Sequence, residues 1–123
     1  MKATFVETTE FSDWVSEHLP DGTYAAFQMS LMEYPDAGAV MPGCGGLRKI
    51  RIADPKRGKG TRGGARVIYL YIPTARRFYL LDVYGKDEKD DLSPSEKKQL
   101  RLLAEYLKRE ANVAYARSIK ENE

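Results

Sequence analysis

The sequence predicts an α+β fold of order βααβββα, a mainly antiparallel sheet packed with an N-terminal helical hairpin and a C-terminal helix. Two amphipathic segments sit near the start of the chain, three β-rich runs follow one another in its middle, and a capping box opens a long amphipathic segment at its end. The 123 residues and 13.9 kDa suit one small core, so residues 1–123 are expected to form a single domain.

Residues 3–7, Ala-Thr-Phe-Val-Glu, are β-branched and aromatic enough for a short strand, and Thr8 or Thr9 offers a hydroxyl to cap a helix. Phe11, Trp14, Val15 and His18 then recur on one face of a 3.6-residue repeat, and Pro20 ends the segment. Asp21 is placed to cap a second helix carrying Tyr24, Phe27, Leu31 and Tyr34, which stops before Pro35. Pro35 to Gly46, with two prolines and four glycines, is expected to be a loop.

In residues 47–53 alternation puts Ile50 and Ile52 on one face and Lys49 and Arg51 on the other, so the isoleucines face the core. Arg66–Ile72 is a second strand, nearly continuous in apolar character, with Ile68, Leu70 and Ile72 in one phase. Pro73-Thr74-Ala75 turns the chain into Arg77–Tyr84, a third strand on which Arg76 and Arg77 take opposite faces. Between the first two strands lies a flap, residues 54–64, with four glycines and four cations. Ser93-Pro94-Ser95-Glu96 starts the last helix, whose expected stripe is Leu100, Leu103, Leu107, Ala111 and Ala114, with residues 118–123 fraying.

The net charge of +2 hides a strong asymmetry. Residues 1–44 hold one Lys against seven acids, residues 45–77 hold ten Lys or Arg against one acid, and the remainder is nearly balanced. A field concentrated in this way attracts a phosphate backbone, through neutralisation and counterion release. With one cysteine, Cys44, and one histidine, His18, neither a disulfide nor a zinc ligand set nor a nucleophilic triad can be assembled, and no metal or cofactor is expected. His18, on the apolar face of its helix, reads as a packed or helix-terminal residue. The glycine-rich stretches do not join a strand to a helix as a nucleotide-binding fingerprint requires. No apolar run reaches the roughly 20 residues of a membrane span, and the N-terminal residues lack the apolar stretch of a signal peptide, so a cytoplasmic location is expected.

Lys, Arg and Tyr suffice for one reaction, cleavage of RNA by its own 2′-hydroxyl, in which the protein aligns the hydroxyl, stabilises charge on the phosphorane and moves two protons. A plain binding face uses the same residues.

The run Gly45-Gly46-Leu47-Arg48-Lys49-Ile50-Arg51, the Lys/Gly/Arg loop leading to Arg66-Val67-Ile68-Tyr69, then Arg77-Phe78-Tyr79-Leu80-Leu81 and Tyr84-Gly85-Lys86, closely resembles the HigB branch of RelE-like toxins. Tyr34-Pro35-Asp36-Ala37-Gly38 and Asp91-Leu92 fit the same branch, so the resemblance covers nearly the whole chain. It implies a RelE-like domain acting as a ribosome-dependent endoribonuclease that cuts mRNA in the decoding site. It also implies a cognate antitoxin, expected to be a small helix-turn-helix protein encoded next door.

Carried over by position, Lys49, Arg51 and Arg66 contact phosphate and assist proton transfer. Tyr84, the aromatic hydroxyl nearest the strand end, either stacks on a base, donates a proton or belongs to the core. Arg48, Arg77, Lys86 and the loop cations Lys56, Arg57, Lys59 and Arg62 are expected to hold ribosomal RNA or message, the alternative for the loop being plain solvation. Where well-studied members place an arginine and a tyrosine beyond the glycine-lysine pair, this sequence has Asp87 and Ser93. Two other classes stay open: a non-enzymatic RNA- or ribosome-binding module, and a ParE-like toxin acting on DNA gyrase.

Overall fold

Ser93 and Glu96 exchange hydrogen bonds, each side chain accepting from the other residue's backbone N–H at 2.9–3.1 Å, and so fix where the last helix begins. The computed structural model describes residues 2–53, 64–85, 89 and 91–121. In chain order these form β1 (Thr4–Glu7), α1 (Thr9–His18), α2 (Asp21–Glu33), β2 (Ala39–Val40), β3 (Arg48–Ile52), β4 (Ala65–Ile72), β5 (Arg77–Gly85) and α3 (Pro94–Glu121). One five-stranded sheet has the order β1-β5-β4-β3-β2, in which only β1 runs parallel to its neighbour, β5. The fold is therefore α+β with a mixed sheet and three helices, as expected apart from one added strand.

That strand is β2, two residues pairing with Arg48 and Lys49 inside the segment expected to be loop. Two residues carry no alternation, so its pairing is invisible in the sequence. α2 also starts differently: Pro20 precedes it without a side-chain cap, and Asp21 lies inside the first turn, where its charge favours the helix dipole. Thr8 does cap α1, accepting from the Phe11 N–H while its own hydroxyl donates to the Leu81 carbonyl. Residues 118–121, expected to fray, are helical.

The sheet has a core on each face. α1 and α2 cover one, with Phe11, Trp14, Leu19 and Leu31 against Val67, Tyr69, Phe78 and Leu80. α3 covers the other, with Ala104 and Ala111 against Ile68, Leu70, Ile72, Tyr79 and Leu81. Its inward stripe is Leu100, Ala104, Leu107 and Ala111, which corrects the expected one: Leu103 and Ala114 are exposed, and the two fully buried alanines let the helix lie close to the strands. A single 3-10 turn, Pro73–Ala75, joins β4 to β5. Arg76 closes that turn in the left-handed region (φ 48°), so it is not a strand residue and the expected alternation of Arg76 with Arg77 does not apply.

The β4–β5 ladder slips once. Tyr69 is opposite Leu80 and Ile68 opposite Asp82, so Leu81 is an extra residue on β5. Such a bulge reverses the parity of everything after it. Tyr79 and Tyr84, five positions apart, consequently reach the same face.

Candidate active site

Arg51 of β3 is directly opposite Arg66 of β4, which is directly opposite Tyr84 of β5. Directly paired residues share a face, so the three form a row across the sheet on the side covered by α3, with Lys49 one step along the same face of β3. Like charges in that relation repel, and no hydrophobic gain accounts for two guanidinium groups side by side. Arg51 is exposed, whereas Arg66 is only 7% exposed, the one charged residue buried among those described. Its Nη1 is buried and has no hydrogen-bond partner among the described residues. An unsatisfied buried polar group costs roughly 1–3 kcal/mol, and more when charged.

Tyr84 is nearly as unusual. Its ring lies in the α3-side core, and its Oη is buried without a partner among the described residues. Burial and then the charge of Asp91 push its pKa up against the pull of Arg66, which keeps the phenol protonated. A ring held at 2% exposure cannot stack on a base. Only the hydroxyl is left for chemistry.

The segment leading into α3 brings further charges to this end of the sheet. Lys89 Nζ sits 5.3 Å from the centre of the Tyr84 ring and pairs with Glu96 at 2.6 Å. Asp91 lies between Lys97 at 2.9 Å and Lys49 at 3.5 Å, and also accepts the Leu92 N–H at 2.8 Å. The Lys97 contact chiefly, then the Leu92 N–H, hold the Asp91 carboxyl at about 2; Lys89 and the Ser93 N–H do the same for Glu96. Asp82, beside Ile68, is pushed up by burial. Lys89, Asp91 and Lys97 are not among the site residues that the sequence predicts. The available signal was topological: a short link between the end of β5 and the capping box must return its charges to the end of the sheet.

Other expected residues lie elsewhere. Arg48, of opposite parity to Lys49, donates to the carbonyls of Asp36 and Gly38 at 3.1 and 2.7 Å, while the Tyr69 hydroxyl accepts the Gly38 N–H and donates to the Pro35 carbonyl. These two side chains pin the turn before β2, so Arg48 is tied to the fold and not to the row. Arg77 pairs with Ile72, at the opposite end of the β4–β5 hairpin from Arg66. Lys56, Arg57, Lys59, Arg62 and Lys86 lie outside the described residues. His18 closes α1, its Nδ1 donating to the Trp14 carbonyl and its ring stacked on Trp14 at 4.7 Å. Cys44 is a buried free thiol. Among the described residues no helix is long and apolar enough to cross a membrane.

The family model described as "RelE toxin of RelE / RelB toxin-antitoxin system" matches residues 35–123. The chain belongs to the RelE toxin family. The RelE match starts at the turn pinned by Arg48 and Tyr69, and it spans every strand of the Arg51–Arg66–Tyr84 row together with α3. Among solved structures, the chain is similar to a double mutant of the Escherichia coli toxin RelE in the free state, at 16% identity, over 73% of this chain and 90% of that one, with a TM-score of 0.48. As a RelE-family toxin of a toxin–antitoxin system, the protein has an antitoxin partner implied by its family.

Proposed function

We propose that residues 1–123 form one toxin domain of the HigB branch, a metal-independent, ribosome-dependent mRNA interferase that works in the cytoplasm. Buried Arg66, whose Nη1 has no partner among the described residues and which lies beside Arg51 and Tyr84, is the observation that carries this reading. A site built to receive an anion leaves such a donor open until the anion arrives.

In this reading the message supplies the nucleophile. Its 2′-oxygen attacks the adjacent phosphorus as the bond to the 5′-oxygen breaks, which leaves a 2′,3′-cyclic phosphate and a free 5′-hydroxyl. Arg66 and Arg51 grip the non-bridging oxygens and stabilise the extra charge of the phosphorane. Lys49 lies one step away along β3 to contact phosphate and assist in proton transfer. Tyr84, held protonated, carries the proton that passes to the departing 5′-oxygen. The loop cations Lys56, Arg57, Lys59 and Arg62, with Lys86, hold ribosomal RNA or message, and the partner that restrains the toxin is a small helix-turn-helix antitoxin encoded next door.

Induction of the protein alone is expected to stop growth and translation. Primer extension on a translated message is expected to reveal cuts in the reading frame that disappear when initiation is blocked. Equal cutting of naked RNA overturns ribosome dependence, intact messages favour a binding module, and gyrase-linked DNA breaks favour a ParE-like action.

A further inference from the structure

At the far end of the sheet from the Arg66 row, a cleft of about 240 Å³ opens between the Pro73–Ala75 turn, the start of β5 and the last third of α3. Ala75, Ala111 and Ala114 make its lining small and apolar on one side, and its polar lining is Arg76, Arg77, Thr74, Tyr115 and Ser118, with no acidic residue among the described residues that line it. Two independent irregularities meet there. Arg76 holds a left-handed backbone at φ 48°, which costs a non-glycine residue roughly 1–2 kcal/mol. Arg77 gives one guanidinium nitrogen to the Tyr79 hydroxyl at 3.1 Å, yet its Nε is buried and unpartnered among the described residues. Thr74 donates to Asn112 of α3 at 3.4 Å, which ties the turn to the helix beside the cleft. Strain that sets two successive arginines at one cleft, together with a buried guanidinium N–H that has no partner among the described residues, describes a receptor for an oxyanion.

We propose that this cleft is a second phosphate site, one that takes a backbone phosphate of RNA away from the cleavage point. Arg77 is opposite Ile72 whereas Tyr84 is opposite Arg66, six residues away along β4, or roughly 20 Å at the usual rise of a strand. One phosphate cannot reach both places. The cleft is therefore a separate contact, and it accounts for an arginine that the sequence assigned to RNA but that the fold removes from the row. Neutral hydroxyls of Tyr115 and Ser118 beside the two guanidinium groups match the several acceptor oxygens of a phosphate. The inference does not depend on cleavage.

Arg76→Gly supplies the decisive variant, since it removes the guanidinium and relieves the left-handed strain together. Arg77→Gln removes the second. With the full chain and a labelled RNA hairpin, each variant is expected to weaken binding severalfold and to lower the log–log salt slope by about 0.7–0.9, the loss of one phosphate contact. Arg76→Gly is expected to melt no lower than wild type, so its weaker binding is not unfolding. Inorganic phosphate at millimolar concentration distinguishes the sources: no effect on melting or on RNA binding supports an RNA backbone, while phosphate-dependent stabilisation with an unaltered RNA slope overturns it in favour of the free ion. Unchanged salt slopes in both variants overturn the site outright. Loss of the slope in a protein that cuts no message leaves the cleft standing and removes only the cleavage reading.

Discussion

At Arg66 the proposed function is set against stability at a single residue. A buried guanidinium whose Nη1 has no partner among the described residues destabilises the free protein, so Arg66→Met, similar in length and apolar, is expected to raise stability by about 1–3 kcal/mol in denaturant titration while abolishing cleavage. A drop in stability would show that Arg66 holds the fold together. Arg66→Lys keeps the charge and loses the fork; cleavage is expected to fall by roughly 10²-fold or more while ribosome binding stays within about threefold. Gly64 presents the opposite case, a residue fixed by space alone. A Cβ there would stand 2.0 Å from the Ile52 carbonyl oxygen across the β3–β4 pair, so Gly64→Ala is expected to cost about 3 kcal/mol or more, read as an earlier unfolding midpoint at an unchanged m-value.

At the scale of the element, what was legible in the sequence is what local chemistry decides. The capping box at Ser93 and the phase of Lys49 and Arg51 opposite Ile50 and Ile52 are contained in a few consecutive residues, and both are found as expected. The location of Tyr84 is different. Alternation counted from Arg77, which faces α3 opposite Ile72, would turn Tyr84 to the other face; the Leu81 bulge returns it to Arg66, and no residue type near 81 announces an insertion that depends on β4. Lys89 and Asp91 were hidden for the same reason, because Tyr84 and Lys49 come from β5 and β3. The turn into α3 also has a pH signature. Asp91 and Glu96 sit near 2 in the folded chain against about 3.9 and 4.3 when unfolded. Depressed folded values give stability that is complete above the unfolded values and lost as pH falls from about 5 towards 2. Both carboxylates are well exposed, so the effect is modest. Asp82, raised by burial, acts in the opposite sense over the range just above its ordinary value. Asp91→Asn with Glu96→Gln is expected to flatten the acid limb of a melting-temperature profile, and an unaltered limb would detach these ion pairs from the fold's acid sensitivity.

For the whole molecule, charge is divided as the sheet is divided. The basic third of the chain supplies β3 and β4, while the acidic first third supplies α1 and α2, which cover the face opposite Lys49, Arg51 and Arg66. A phosphate polymer approaching this molecule is drawn to one side of it, and the attraction weakens with added salt. Changing Lys56, Arg57 and Lys59 together to Ala is expected to lower the salt slope of ribosome binding by about one unit per lost phosphate contact, and an unchanged slope would make that loop a solvated one. The two-residue β2 carries one more consequence. Pairing with it ends at Lys49, so the outer rim of β3 from Ile50 to Ile52 has no strand beside it among the described residues. An open rim between isoleucines is a template for self-assembly, and charge is the usual protection against it. Lys49 and Arg51 are therefore expected to act as gatekeepers as well as candidate ligands for phosphate. Inactive toxins made with Ala or Leu at these two positions are expected to precipitate, whereas Gln, polar and still bulky, keeps the rim soluble; light scattering of purified variants at matched concentration decides it.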